Sequence, residues 1–178
     1  TRYFFVDNTA PIVNINTSQN GTLTADTTPD VVFNFTDSVS NTTNCTLYFN
    51  GSSVNTSNER LNNTRWVLTP TSPLSEGNYS VYVNCTDKAG KLDQSDILIF
   101  QIDTSAPAIS NVVNDSITSS AARITWTTDD EANGTANYGT SLALGTLSEH
   151  SNLSLSHVRI LSGLNEGSSY YYNVTSCD

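Results

Sequence analysis

The chain has few basic residues and no long apolar run. Its 178 residues include seven Lys and Arg against seventeen Asp and Glu, a net charge of −10. So few cations cannot build the basic surface that nucleic acid or an anionic membrane requires, so neither is expected as a partner. No apolar stretch approaches the roughly 18 residues of a membrane-spanning helix. The chain starts at Thr rather than Met, so we expect a processed product or part of something longer.

Residue types suited to catalysis are also sparse. His150 and His157 are the only histidines, and neither has a Cys or His neighbour at the spacing of metal ligands. We expect both at the surface, one in a loop and one at a strand edge. Nothing resembles a phosphate-binding glycine loop, and no nucleophile is paired with a base. The sequence therefore predicts a protein that is not an enzyme.

Acidic residues offer two alternatives for a metal site. Asp129, Asp130 and Glu131 could hold calcium together with loop carbonyls, but they lie in a predicted loop where carboxylates are normally solvated. Asp7 and Asp103 are not surrounded by a D-x-D-x-D-G loop. We therefore expect no metal and no cofactor, apart from N-linked glycans.

A repeated segment indicates the domain organisation. TRYFFVDNTAPIV opens the chain and DILIFQIDTSAPAIS lies in its middle, with Pro107 following Pro11 by 96 residues. The copies match position by position, for example Phe4 with Phe100. A period near 96 residues predicts two β-sandwiches of about 100 residues each. The expected domains are residues 7–103 and 104–178, preceded by a separate apolar segment at residues 1–6.

N-glycosylation sequons are unusually dense. Fourteen N-x-S/T sites occur where chance gives roughly six. Because sequons act only in exported chains, the excess predicts a secreted, N-glycosylated protein with these asparagines at its surface. The sites are Asn16, Asn20, Asn34, Asn41, Asn44, Asn50, Asn55, Asn62, Asn78, Asn84, Asn114, Asn133, Asn152 and Asn173.

Short strands with alternating apolar residues recur throughout, and helical periodicity is rare. Both halves are therefore predicted to be all-β sandwiches. The clearest strands of the first half are VVFNF (31–35), CTLYF (45–49), RWVLT (65–69), YSVYVNC (79–85) and ILIFQI (97–102). Those of the second half are AISNV (108–112), ARITWTT (122–128), TANYG (135–139), HVRIL (157–161) and YYYNVTS (170–176).

One strand approach appears twice, as LSEGNYSVYVNCTD and LNEGSSYYYNVTSCD. In each, a Leu and a turn Gly precede a Tyr that begins an alternating strand. This pattern is typical of a tyrosine corner, in which the ring is buried and its hydroxyl ties back the incoming loop. The corners are predicted at Tyr79 and Tyr170. Alternation leaves Tyr171 outside the core, and one exposed tyrosine is too little aromatic surface to bind a sugar.

These motifs carry a family resemblance. Residues 106–178 resemble a fibronectin type III domain of microbial surface proteins, through SSAARITWTTDDEANGTANYGTS and LSGLNEGSSYYYNVTSCD. Residues 11–103 resemble the immunoglobulin-like repeats of archaeal and bacterial cell-surface proteins, through NCTLYFNGS, LSEGNYSVYVNCTDKAG and FQIDTSAP. The resemblance implies an extracellular, cell-surface location and an archaeal source. It also implies that Trp126 lies in the core of the second sandwich, where the alternation of the last strand places Tyr170, Tyr172 and Val174.

The second sandwich is expected to lack its last strand. A fibronectin type III domain has seven strands, and the family continues past YYYNVTSCD into the seventh. Meanwhile the first residues of the chain have the sequence of a closing strand with no preceding domain to close. Donor-strand complementation resolves both defects, because the opening strand of one subunit would complete the second domain of the next. The predicted donor strand consists of Thr1, Arg2, Tyr3, Phe4, Phe5 and Val6.

Either Tyr3 with Phe5, or Phe4 with Val6, would face the acceptor core. Two alternatives stay open. The chain is an excerpt of a longer tandem-repeat protein whose neighbouring strand is covalently attached, or the opening strand folds back as the first strand of its own domain. Pro11 argues against the fold-back, since it matches the domain-opening Pro107.

The three cysteines suggest one disulfide. Cys45 and Cys85 lie on strands that can be neighbours within one sheet of a sandwich, so we expect them to be bonded, with two buried thiols as the alternative. Cys177 has no partner in the sequence. It is expected to be a free or intermolecular thiol, or to pair beyond the given residues.

Together these observations predict a non-enzymatic structural subunit of an extracellular, N-glycosylated filament or surface layer. Identical subunits would be its partners, joined head to tail. The alternatives are an excerpt of a tandem-repeat surface protein, or an adhesin or carbohydrate-binding accessory module.

Overall fold

The computed structural model of the chain describes residues 6–178, including every side chain in that range except those of Thr42 and Glu59. The predicted donor strand therefore lies outside the described residues except for Val6, which is 73% exposed. The chain forms two compact units that divide between Thr104 and Ser105. We refer to them as unit 1 and unit 2.

Over its described residues, unit 1 is a two-sheet sandwich of nine strands. One sheet has the order β1-β3-β6, and the other has the order β2-β9-β7-β4-β5 with β8 beside β7. All neighbours are antiparallel except β2 and β9. The strands are β1 (Ile12–Ile15), β2 (Thr22–Thr24), β3 (Val31–Thr36), β4 (Thr42–Phe49), β5 (Ser52–Leu61), β6 (Trp66–Leu68), β7 (Gly77–Asp87), β8 (Leu92–Gln94) and β9 (Leu98–Ile102).

The core of unit 1 follows from strict alternation along its strands. On β3, β4, β7 and β9 every second side chain points between the sheets, which is the period-two geometry of a strand. The inward residues are almost inaccessible to solvent. They include Val31, Phe33, Phe35, Leu47, Phe49, Val81, Val83, Leu98, Phe100 and Ile102.

The polar strand β5 was not predicted among the clearest strands, and its turn explains its presence. Asn50 and Gly51 both have positive φ, 48° and 77°, and Phe49 pairs with Ser52 across them. A two-residue Asn-Gly loop of this kind reverses a strand into an antiparallel hairpin. The turn therefore extends the sheet even though SSVNTSNERL lacks an apolar alternation.

Unit 2 is built around one long strand. Its strands are β10 (Ile109–Asp115), β11 (Ala121–Gly139), β12 (Thr146–Ser162) and β13 (Tyr171–Thr175). The first part of β11 pairs with β10 and the last part pairs with β13, while β12 runs beside both parts. The sheet folds over so that both halves of β11 contribute to one core, containing Ile124, Trp126, Ala136 and Leu161.

The predicted strands 122–128 and 135–139 are thus two parts of β11. The prediction of a loop at Asp129, Asp130 and Glu131 is wrong, because these exposed residues continue the strand. The register with β12 shifts between Thr127 and Ala132, and this irregularity lets the long strand change course.

The all-β tandem sandwich expected from the sequence is confirmed. Residues 6–178 contain one short 3₁₀ turn, Thr17–Gln19, and no α-helix. No helix in that range is long and apolar enough to cross a membrane.

Candidate functional site

Both predicted tyrosine corners are present. The Tyr79 hydroxyl donates to the Ser75 carbonyl at 2.8 Å, four residues upstream. The Tyr170 hydroxyl accepts from the Asn165 amide at 3.0 Å, five residues upstream. Each ring is half-buried rather than fully buried as expected, because its hydroxyl stays near the loop surface. Each contact fixes the loop that leads into β7 or β13.

In unit 1 the outer edge of the tyrosine-corner strand is closed. Strand β9 pairs with β7 from Gly77 opposite Ile102 to Val81 opposite Leu98. Phe100 lies between these residues, is 1% exposed and packs edge-on against Phe49. This closing strand belongs to the second copy of the repeated segment.

In unit 2 the equivalent edge is open. Among the described residues, β13 pairs only with β11. The predicted core residues Tyr170, Tyr172 and Val174 are half-buried, whereas Trp126 is 1% exposed. Within residues 6–178, no strand pairs with β13 on the side where β9 pairs with β7 in unit 1. In this described part of the chain, the edge of β13 away from β11 is therefore unpaired.

A groove lies at the end of unit 2 where the chain enters β13, between β10 and the loop before β13. It encloses about 250 Å³, and its floor includes the buried Ile124 and Leu161. Asn114 of β10 lies on one side and Tyr172 of β13 on the other, joined by a hydrogen bond of 3.3 Å from the Tyr172 hydroxyl to Asn114 Oδ1. Free main-chain groups beside an apolar floor are what an added strand recognises. We call this the acceptor groove.

His157 is buried, so the prediction that it lies at the surface on a strand edge is wrong. The β11–β12 register places it opposite Trp126, and the two rings stack with centroids 5.0 Å apart. A Cβ at Gly134 would lie 2.7 Å from His157 Nδ1, so the absence of a side chain there makes room for the stack. Burial lowers the pKa of His157, with smaller contributions from the charges of Arg159 and His150. His150 is exposed, as expected.

The predicted disulfide is confirmed. Cys45 of β4 and Cys85 of β7 stand directly opposite each other in one sheet and are bonded, and neither is accessible to solvent. Cys177 is an exposed free thiol.

The fourteen sequon asparagines all reach the surface of their units. Ten are exposed and none is buried. The half-buried ones are Asn55, Asn62, Asn84 and Asn133. Their amides are partly engaged within the fold, since Asn55 donates to the Thr69 carbonyl at 2.6 Å and Asn62 donates to the Asp37 carbonyl. We expect these four to be glycosylated less readily than the exposed ten.

The acidic residues considered for calcium are placed differently from one another. Asp129 accepts from the Ala108 amide at 2.7 Å and Asp130 from the Glu131 amide at 2.8 Å, so both serve local backbone contacts. Asp103 follows β9, and its amide donates to the Thr24 carbonyl. Asp7 lies close to two acids, Asp37 and Asp87, that sequence reasoning did not consider.

Comparison with known proteins identifies unit 1. Residues 9–104, just over half of the chain, match the family model of the bacterial Ig-like domain. A search of curated protein sequences finds no significant match. A fragment of titin is similar in structure, with a TM-score of 0.61 and 11% identity over 96% of this chain and 61% of that one. This likeness shows the fold alone.

A bacterial ice-binding adhesin fragment aligns with a TM-score of 0.48 and 15% identity, covering 96% of this chain and 65% of that one. The chain thus spans less than two thirds of the length of either structure.

Proposed function

Because this chain belongs to the bacterial Ig-like domain family, we propose that it is a structural segment of an extracellular surface protein built from tandem β-sandwiches. The observation that carries the proposal is the position of β9, which closes the edge of β7 and leads at once into the linker before unit 2. The same apolar pattern and D-x-x-A-P linker stand before unit 1. Strands that close one sandwich and lead into the next suit a tandem array.

The disulfide and the sequons support an extracellular location. Disulfides persist in oxidising compartments, and Cys45 and Cys85 are bonded in the core of unit 1. The sequon asparagines lie where attached glycans would project into solvent and shield exposed strand edges. With a net charge of −10, partners are proposed to be like subunits or repeats rather than nucleic acid.

A non-enzymatic role is part of the proposal. His157 has a pKa lowered by burial, but its ring is stacked on Trp126 and 3% exposed, so a substrate has no access to it.

The acceptor groove favours a second candidate, a filament formed by donor-strand complementation. Residues 1–6 have the sequence of a closing strand, and the groove of another subunit offers the edge that such a strand would pair with. Because donor and acceptor are different surfaces, the contact would repeat head to tail.

The match to β9 indicates which donor side chains would face the groove. Phe4 and Val6 correspond to Phe100 and Ile102, which are buried in unit 1. Tyr3 and Phe5 correspond to Ile99 and Gln101, which are exposed. We therefore expect Phe4 and Val6 to enter the acceptor core, which chooses between the two registers that the sequence leaves open.

The experiment compares the intact chain with a version lacking residues 1–6 by sizing and electron microscopy. Phe4→Asp with Val6→Asp tests the inward face, and Tyr3→Asp with Phe5→Asp is its matched control on the other face. A third version carries TRYFFV after Asp178 on a flexible loop, so that the groove is filled within one molecule.

Strand exchange between subunits would be established if filaments disappear with the deletion and with Phe4→Asp/Val6→Asp. The filaments should persist with the control substitutions Tyr3→Asp/Phe5→Asp. Monomers throughout, with unit 2 stabilised by the fused strand, would support the tandem array and exclude the filament. If the fused strand does not stabilise unit 2, the acceptor groove takes no closing strand and the filament proposal loses its basis, whereas the tandem array still rests on the position of β9.

A further inference from the structure

Three carboxylates from distant parts of the sequence converge at one end of unit 1. Asp7 precedes β1, Asp37 follows β3, and Asp87 is the last residue of β7. The antiparallel register of Ile12 with Thr36 brings the start of β1 beside the end of β3. One carboxylate oxygen of each acid lies within 4.8 Å of those of the other two.

The backbone holds two of these acids in fixed orientations. Asp37 Oδ1 accepts from the Val39 amide at 2.7 Å and the Ser40 amide at 2.8 Å. Asp87 Oδ1 accepts from the amides of Ala89 and Lys91, both at 2.8 Å. Each acid therefore closes a tight turn with one oxygen, and the turn determines where the other oxygen lies.

The second oxygen of each of these acids is left without a partner. Asp37 is 8% exposed and Asp87 is 6% exposed, and the Oδ2 atom of each is buried without a hydrogen bond. An ionised oxygen removed from water and left unpaired is costly, and two such oxygens beside a third carboxylate also repel each other. A cation between these oxygens would offset both costs.

Asp7 completes the cluster from the side of the incoming chain. Its Oδ2 accepts from the Ser40 hydroxyl at 2.7 Å, and its Oδ1 accepts from the amide and the hydroxyl of Thr9. The Ser40 hydrogen bond is the main cause that lowers the pKa of Asp7. The nearby Lys91 ammonium donates to Asn8 Oδ1 and not to the unpaired oxygens.

We propose that Asp7, Asp37 and Asp87 bind one calcium ion, a role that goes beyond the structural function proposed above. Calcium prefers oxygen ligands such as carboxylates and bonds them at about 2.3–2.6 Å. Two ligand atoms on opposite sides of the ion therefore lie up to about 5 Å apart. The separation of up to 4.8 Å fits that span. Magnesium bonds at about 2.0–2.1 Å and demands stricter geometry, which fits less well.

The ion would tie the segment before β1 to the turns that follow β3 and β7. Water would complete its coordination. The sequence has no D-x-D-x-D-G loop around these acids, because the three proposed ligands come from separate segments.

The test uses the full chain stripped of metal with EDTA and titrated with calcium chloride by calorimetry, with magnesium chloride as the comparison. Amide NMR signals of Val39, Ser40, Ala89 and Lys91 report binding at the site itself. Asp37→Asn and Asp87→Asn keep the oxygen that closes each turn but remove the charge. Asp26→Asn is the matched control, because Asp26 accepts from the Thr28 amide in a similar turn but is exposed and outside the cluster.

We expect one calcium per chain, with shifts of those four amide signals and a higher unfolding temperature. Each cluster variant should bind at least about tenfold more weakly and lose the calcium-dependent rise. In EDTA the same variants should unfold at a higher temperature than the parent chain, because charge repulsion is relieved. The control should leave calcium binding unchanged.

If the three acids only stabilise their turns, the cluster variants should unfold at a lower temperature than the parent chain in EDTA. The proposal would be overturned if calorimetry detects no heat of calcium binding and the cluster variants are less stable than the parent both in EDTA and in calcium. Calcium binding that the cluster variants retain in full, without shifts of the four amide signals, would place the ion elsewhere and overturn it equally.

Discussion

Strands β7 and β13 begin with the same tyrosine corner, yet among the described residues only β7 has a closing strand on its outer edge. Val81 and Val83 of β7 are inaccessible to solvent, whereas Tyr172 and Val174 of β13 are half-buried. The corner contact therefore forms with or without a neighbouring strand. Over residues 6–178, the inward side chains of the corner strand are fully buried only where that neighbour is present, although Ile124 and Trp126 of unit 2 are buried without it. The corner therefore depends on residues nearby in the chain, whereas full burial of its strand depends on a distant segment.

The two units can be followed independently. The chain has two tryptophans, Trp66 in unit 1 and Trp126 in unit 2, so Trp→Phe variants leave one fluorescent reporter in either unit. Denaturant unfolding of each reporter gives the stability of its own unit.

The largest difference is expected from truncation of matched aromatic residues. Phe100→Ala removes a fully buried ring from the closing strand and should destabilise unit 1 by about 3–5 kcal/mol. Tyr172→Ala removes a half-exposed ring and should cost unit 2 only about 1–2 kcal/mol. Urea unfolding of the two single-tryptophan proteins measures both values. Equal losses would show that the open edge of β13 leaves its core as well packed as that of β7.

Loss of the disulfide should come next. The Cys45–Cys85 bond closes a loop with a sequence separation of 40 residues and contributes about 2–4 kcal/mol in the chain-entropy model. Cys45→Ala with Cys85→Ala should lower the stability of unit 1 by that amount, read from Trp66. Unit 2 contains no disulfide, so its Trp126 transition is the internal control. A shift of both transitions would mean that the units do not unfold separately.

The tyrosine corners should give a smaller and equal effect. Tyr79→Phe and Tyr170→Phe each delete one hydrogen bond to the loop and should cost about 0.5–1.5 kcal/mol in their own units. Thermal unfolding of both variants compares them. A much larger loss in unit 1 would show that the corner depends on the closing strand, contrary to the conclusion that it forms without a neighbouring strand.

The smallest effect concerns pH. Burial holds the pKa of His157 below its ordinary value of 6.5, so the unfolded chain binds a proton more readily than folded unit 2. Unit 2 should therefore keep its full stability above about pH 6.5 and lose part of it as the pH falls below that value. Unit 1 has no histidine and serves as the comparison. His157→Gln should remove the dependence, and a slope that survives this change would assign it to another group.

The sequence predicts the local features well. Alternation and the repeated Leu, Gly and Tyr spacing anticipate the strands and corners, because these depend on contacts within a few residues of the chain. The Asn50–Gly51 turn was equally readable, but the polar composition of β5 concealed the strand that follows it. Strand register was not readable, and register is what buries His157 against Trp126.

The acidic cluster shows the same limit more clearly. A contiguous metal loop can be recognised from spacing, but Asp37 and Asp87 are 50 residues apart in the sequence. Only the meeting of β1, β3 and β7 at one end of the sandwich brings them together. In the same way, the pairing of Cys45 with Cys85 required neighbouring strands and could be expected only through the sandwich fold.

The position of the disulfide also limits how far unit 1 can be extended by a pulling force. The chain between Cys45 and Cys85 cannot lengthen while the bond is intact, and its 40-residue separation corresponds to about 140 Å of extended backbone. In single-molecule pulling, oxidised unit 1 should release about 140 Å less contour length on unfolding than the reduced form. Under tension, an oxidised repeat of this kind yields in short steps and can refold over a short distance.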